Sequence, residues 1–172
     1  MAIRKILQLG NPVLWELSKA VADATSDSTV SLIHDLRDTL AAFRKEHGFG
    51  RGIAAPQINV SKRVIYIEMG QGGFHGALIN PEITWGDTPV DVWDSCFCFP
   101  ELMVKVVRAS GIHVSYVDEA GKAQKLEVEG ELCELLQHEI DHLDGILAVY
   151  RAKSPRAFST REEWMRMGGN NP

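Results

Sequence analysis

The chain has 172 residues, 45% of them apolar and 24% charged, with a net charge of −5 at neutral pH. That length and balance fit one globular domain with its own core and exclude collagen-like, coiled-coil and disordered classes. The excess of acid argues against general or sequence-specific nucleic-acid binding, and no apolar run is long enough for a bilayer span.

Arg4 and Lys5 open the chain on a basic note, but Gln8, Asn11, Pro12 and Glu16 interrupt any apolar leader. The three cysteines are an odd number, and Cys96-x-Cys98 with a distant Cys133 is no disulfide framework. Both features point to the cytoplasm and to no membrane partner. Helical periodicity follows from Thr29 to Glu46, where Val30, Ile33, Leu36, Leu40 and Phe43 recur, with Ser28 as the expected N-cap. His47-Gly48 ends this helix, and a glycine-rich loop succeeds it. Five apolar, β-branched runs then read as strands: Arg63 to Glu68, Gly76 to Ile83, Met103 to Arg108, Ile112 to Val117 and Gln124 to Val128. A second helix starts after Gly130 and stops at Gly145. A short third one is expected from the capping pattern Ser159-x-x-Glu162, with Gly168-Gly169 as its stop. Helices set apart from a run of adjacent strands indicate an α+β domain covering residues 1–172. Residues 150–172 form a basic tail. It holds five basic residues against two acidic ones, a net +3 that leaves −8 for the remainder.

The second helix carries His138-Glu139-Ile140-Asp141-His142. Residues four apart share a helical face, so both imidazoles can reach one metal ion. Glu139 projects beside them, placed to exchange a proton with an activated water. Two histidines leave a catalytic metal one ligand short. A third histidine in the spacing H-x-x-G-x-x-H is excluded, because Ala148 holds its position. A downstream glutamate, Glu162 or Glu163, would suit a second class of metalloprotease. A thiolate from upstream, Cys96, is the better candidate. The loop Gly50-Arg51-Gly52-Ile53-Ala54-Ala55-Pro56-Gln57 offers a close backbone approach and an amide for an oxyanion.

These three elements, in this order, resemble the signatures of peptide deformylases. Gly50 to Gln57 matches G-x-G-L-A-A-x-Q with isoleucine for leucine, and His138 to His142 matches H-E-x-D-H in full. The segment Asp94-Ser95-Cys96-Phe97-Cys98 keeps only the cysteine of E-G-C-L-S. The resemblance implies a deformylase-like α+β fold with mixed strands around the metal helix. It implies Cys96, His138 and His142 as ligands of one divalent metal, Fe2+ first and Zn2+, Ni2+ or Co2+ as substitutes. It further implies Glu139 as general acid/base, Gln57 and the Phe97 backbone N–H as oxyanion donors, and Gly52 and Ser95 along the bound peptide. The activity implied is removal of the formyl group from N-formyl peptides, with the basic tail as a possible ribosome contact. On the metal helix, positions 131, 134 and 135 lie on the face of the two histidines, so Glu131, Glu134 and Leu135 should border the substrate side chain. Those glutamates leave open a hydrolase for another N-formyl or N-acyl substrate; a metalloprotease or an inactive binding homologue are weaker alternatives.

Overall fold

The computed structural model describes residues 2–169, so the expected tail is seen without its last three residues. Helix α1 spans Asp27–His47. Its cap is Ser26, two residues earlier than expected: the Ser26 hydroxyl accepts the Thr29 N–H, while Ser28 lies inside the first turn. Gly48, in the left-handed region at φ 78°, ends it.

The five expected strands are present as β2 (Val64–Glu68), β3 (His75–Gly86), β5 (Leu102–Ala109), β6 (Gly111–Val117) and β7 (Ala123–Glu129). Three more complete the sheets: β1 (Gly52–Ala54), β4 (Pro89–Ser95) and β8 (Phe158–Thr160). Every strand pair is antiparallel. One sheet has the order β1-β2-β3-β6-β7 and the other β4-β5-β8. The two shortest strands are three residues each, too short for alternation to register in sequence. β1 is buried along its whole length because α1 and α2 both pack against it. This is the α+β architecture expected from the order of elements.

Helix α2 spans Gly130–Leu143. Its apolar residues Leu135, Leu136, Ile140 and Leu143 pack with Ala54, Ile65, Ile67 and Leu78 of the larger sheet. A second cluster places α1 against Ile53, Val64 and Phe97. The metal-helix sequence is thus held between the sheets by an apolar face, as its periodicity requires. Helix α3 spans Arg161–Arg166 and is capped by Thr160, whose hydroxyl accepts the Glu163 N–H. The expected cap Ser159 lies one residue earlier, and its hydroxyl donates to Thr160 O instead. The extended strand geometry carries through Thr160, so the helix begins one residue later than the capping pattern suggested. No described helix is long and apolar enough to cross a membrane. All three cysteines are free and buried.

The end of α2 is locked by a close backbone crossing. Ser18 N–H donates to Leu143 O at 2.8 Å. Gly145 follows at φ 70°, and a Cβ there would stand 2.5 Å from the Trp15 carbonyl oxygen. Gly145→Ala therefore meets both an unfavourable backbone region and a clash. The expected outcome is a Tm lower by about 5–10 °C in a thermal melt, with part of the bound metal lost because His142 sits one turn away.

Candidate metal centre

Cys96 follows directly on β4, in a turn closed by the Phe99 N–H on Cys96 O. Its side chain points at α2. The ligand atoms of Cys96, His138 and His142 lie within 4.8 Å of one another, and Cys96 Sγ is 3.3 Å from His142 Nε2. All three residues are buried. Glu162 and Glu163 do not join them; Glu163 pairs with Arg166 on exposed α3, which removes the protease-like ligand set.

The donor chemistry fits a divalent metal. Burial, reinforced by the neighbouring Cys98 thiol, pushes the Cys96 thiol well up, so a thiolate here needs a compensating cation. Burial and the adjacent His138 push His142 well down, which keeps it the neutral imidazole that ligates metals. For His138, burial disfavours charge, but Asp94 outweighs it and raises the pKa to about 9. Its Nδ1 stands 2.8 Å from Asp94 Oδ1, close though off line. That contact turns Nε2 toward the cluster, the usual way a carboxylate fixes a ligating ring.

Asp94 belongs to a buried charge network. Arg108 Nη2 donates to Asp94 at 2.7 Å, and Nη1 donates to Asp141 at 2.5 Å. Arg151 donates to both oxygens of Asp141. Burial would raise the Asp94 carboxyl, but His138 and Arg108 hold it well below the usual carboxylate range. The sequence reading missed the parts that Asp141 and Arg151 play here. The signal available was Asp141 itself, a carboxylate on the same helix three residues after His138.

Glu139, Gln57 and Gly52 converge on the same pocket as Cys96 and His138, together with Phe49, Arg51, Ser95, Phe97, Glu134 and Leu135. Burial raises the Glu139 pKa to about 7, and its Oε2 is buried without a hydrogen bond. A Cβ on Gly52 would stand 2.8 Å from Glu139 Oε1, so only glycine lets the strand and the carboxylate pass so closely. Gln57 sits in a 3₁₀ turn, Ala55–Ile58. Its Oε1 accepts the Ala54 N–H at 2.7 Å, which orients Nε2 toward the sulfurs of Cys96 and Cys98, 3.8 and 3.7 Å away. Ser95 is not among the residues of positive φ, so serine costs no strain there. The Phe97 ring turns to the core, stacked on Phe43 with centroids 3.9 Å apart. Of the pocket residues expected on α2, Glu134 and Leu135 line it. Glu131 does not: it is exposed and bound to Arg51 at 2.9 Å, one turn too far from the pocket.

The Asp94–Arg108–Asp141 network underlies the ligand set, so removing one member strands buried charge. Asp141→Ala should destabilise the fold by about 3–5 kcal/mol in denaturant titration, the range for breaking a buried ion pair. Metal content after dialysis should fall with it.

The sequence profile of the polypeptide deformylase family matches residues 3–158. A peptide deformylase of Pelotomaculum thermopropionicum is 38% identical over 163 residues, covering 95% of this chain and 100% of the relative. Peptide deformylase 2 of Clostridium perfringens is 38% identical over 154 residues, 89% of this chain and 95% of that one. A crystal structure of a Legionella pneumophila peptide deformylase superposes with a TM-score of 0.82 at 35% identity, covering 99% and 100% of the two chains. One from Synechococcus elongatus, in complex with actinonin, gives 0.81 at 29% identity over 99% and 92%. Sequence likeness along nearly the whole chain and a shared architecture agree with the chemistry of the pocket: the chain belongs to the peptide deformylase family.

Proposed function

We propose that this enzyme hydrolyses the N-terminal formyl group of formylmethionyl peptides in the cytoplasm, using Cys96, His138 and His142 to hold one Fe2+ ion. The observation that carries this reading is the single pocket lined at once by Cys96, His138, Glu139 and Gln57. The bound metal supplies Lewis acidity that makes water a nucleophile near neutral pH; Zn2+, Ni2+ or Co2+ would serve the same donors. Glu139 takes a proton from the attacking water and returns it to the amide nitrogen as the C–N bond breaks. The products are formate and a free peptide amine. A carboxyl poised at about 7 suits both directions of that transfer. Gln57 Nε2 and the Phe97 N–H hold the negative charge that develops on the formyl oxygen. Gly52 and Ser95 border the peptide backbone, which lies as an added strand.

Support for ribosome docking by the tail is reduced by where its charges go. Arg151 is spent on Asp141, Lys153 on Asp91 and Arg166 on Glu163. Arg161 is buried against Phe49 and Pro100, and Arg156 has no ion pair among the described residues, so any ribosome contact would draw mainly on Arg156.

Glu139→Gln should keep its metal and lose about 100- to 10,000-fold in kcat for formate release, because an amide cannot shuttle a proton. Gln57→Ala should lose about 100- to 1,000-fold in kcat, the scale of one oxyanion donor. Wild-type turnover in either variant removes that residue from the mechanism.

One observation favours a second substrate class. Glu134 lines the pocket, burial pushes its carboxyl up, and it has no ion-pair partner among the described residues. A carboxylate there opposes an apolar side chain and favours a polar or cationic one. Measured as kcat/KM on formyl-Met, formyl-Leu and formyl-Lys peptides, Glu134→Ile should shift preference toward methionine by about tenfold. An unchanged ranking returns the enzyme to ordinary methionine specificity.

A further inference from the structure

Arg161 is the first residue of α3, and its side chain is buried although it carries a charge. A buried guanidinium needs partners, and the partners here are informative. Its Cζ stands 3.7 Å above the ring centroid of Phe49. Its Nε donates to Pro100 O at 2.7 Å. Its own N–H donates to Glu101 O at 2.8 Å. Phe49 opens the loop that runs through Gly50 and Arg51 to Gly52, and all four line the catalytic pocket. Pro100 closes the turn that begins at Cys96, which lines the same pocket with Phe97. Phe49 and Phe97 are themselves only in edge contact, with centroids 6.3 Å apart. The two loops follow different elements, α1 and β4, and the smaller sheet reaches the cation through β8 beside β5.

We propose that Arg161 is a positioning residue: its buried guanidinium ties the Phe49 loop to the Cys96 turn and so sets the width of the cleft in which the peptide lies. The inference rests on the deformylase reading for its substrate, but not for its geometry. A cation over an aromatic face with a hydrogen bond at its edge fixes both distance and angle, which an apolar side chain cannot do. Deleting residues 160–172 would therefore not leave the catalytic cleft untouched, although the sequence invites reading this segment as a detachable docking tail.

Two measurements on the full-length, metal-loaded protein test this. In steady-state hydrolysis of a formyl-Met tripeptide, Arg161→Leu should raise KM about tenfold with kcat within about twofold, because walls that bind substrate are loosened while the reacting groups stay in place. Arg161→Lys should stay within about threefold of wild type. Phe49→Leu should raise KM in the same direction by a smaller factor, since it leaves the Arg161–Pro100 bond in place, and in the double variant it should add little to Arg161→Leu. In the second measurement, the rate at which a maleimide labels Cys96 is mapped by peptide mass at equal metal content. That rate should rise about tenfold in Arg161→Leu and stay near wild type in Arg161→Lys. The lysine variant keeps the test open where leucine fails to fold. Wild-type KM and labelling in folded Arg161→Leu would overturn the proposal, as would a parallel fall of kcat and metal content with KM unchanged. No formate from the wild-type enzyme on any formyl peptide sinks the deformylase reading alone, and the labelling rates then decide the clamp.

Discussion

Arg108 brings a full positive charge to the base of the active site with only 3% of its surface exposed. Such a charge costs several kcal/mol to desolvate unless hydrogen-bonded acids surround it. Asp94 and Asp141 meet that requirement from two different elements, the end of β4 and the last turn of α2. The consequence is geometric. Once the guanidinium fork is fixed between them, the turn carrying Cys96 and the helix carrying the histidines have one mutual placement. Asp94 uses its second oxygen on His138, so the same carboxylate that balances Arg108 also steers a metal ligand. An aspartate suffices where the family signature has glutamate, because Asp94 still reaches Arg108 at 2.7 Å and His138 at 2.8 Å.

Close approach is the second device around the site. Gly52 lets β1 run against Glu139, and Gly50 at φ 120° leaves room for the Phe97 ring, which would otherwise lie 2.5 Å from a Cβ. The phenylalanine that replaces a smaller family residue is therefore accommodated by stacking on Phe43 and by a glycine that has no side chain to displace. Its ring thereby serves the apolar cluster around α1. Cys98 is buried beside Gln57 and leaves the ligand cluster to Cys96.

Much of this was legible in the sequence. The two long helices and five central strands announce themselves by period, and His138, Glu139, His142 and Cys96 by spacing and donor type. What escaped has identifiable causes. β1 and β8 are too short to show alternation, and β4 begins at proline, with its exposed first half resembling a loop. Caps shifted by one or two residues because several serines and threonines compete at each helix start. Glu131 is on the histidine face by helical arithmetic, yet a full turn of rise carries it out of the pocket to Arg51. For the basic tail, a count of charges carries no information about which acids answer them: Asp141, Asp91 and Glu163 pair with three of its five bases.

The placement of Arg161 has a further consequence for the order in which the molecule is made. Its hydrogen-bond partner Pro100 precedes it by 61 residues, and Phe49 by still more. Synthesis proceeds from the N-terminus, and domains fold as their residues emerge. Both helices of the core and the whole larger sheet precede residue 150, so they can assemble while the last segment is still being added. The cleft acquires its final width only once Arg161 has been added and has reached Pro100 and Phe49. An enzyme that acts on newly made chains would thus itself keep a loose cleft until that residue emerges, and a chain cut before it would be a folded body with a loose active site rather than a shorter working enzyme.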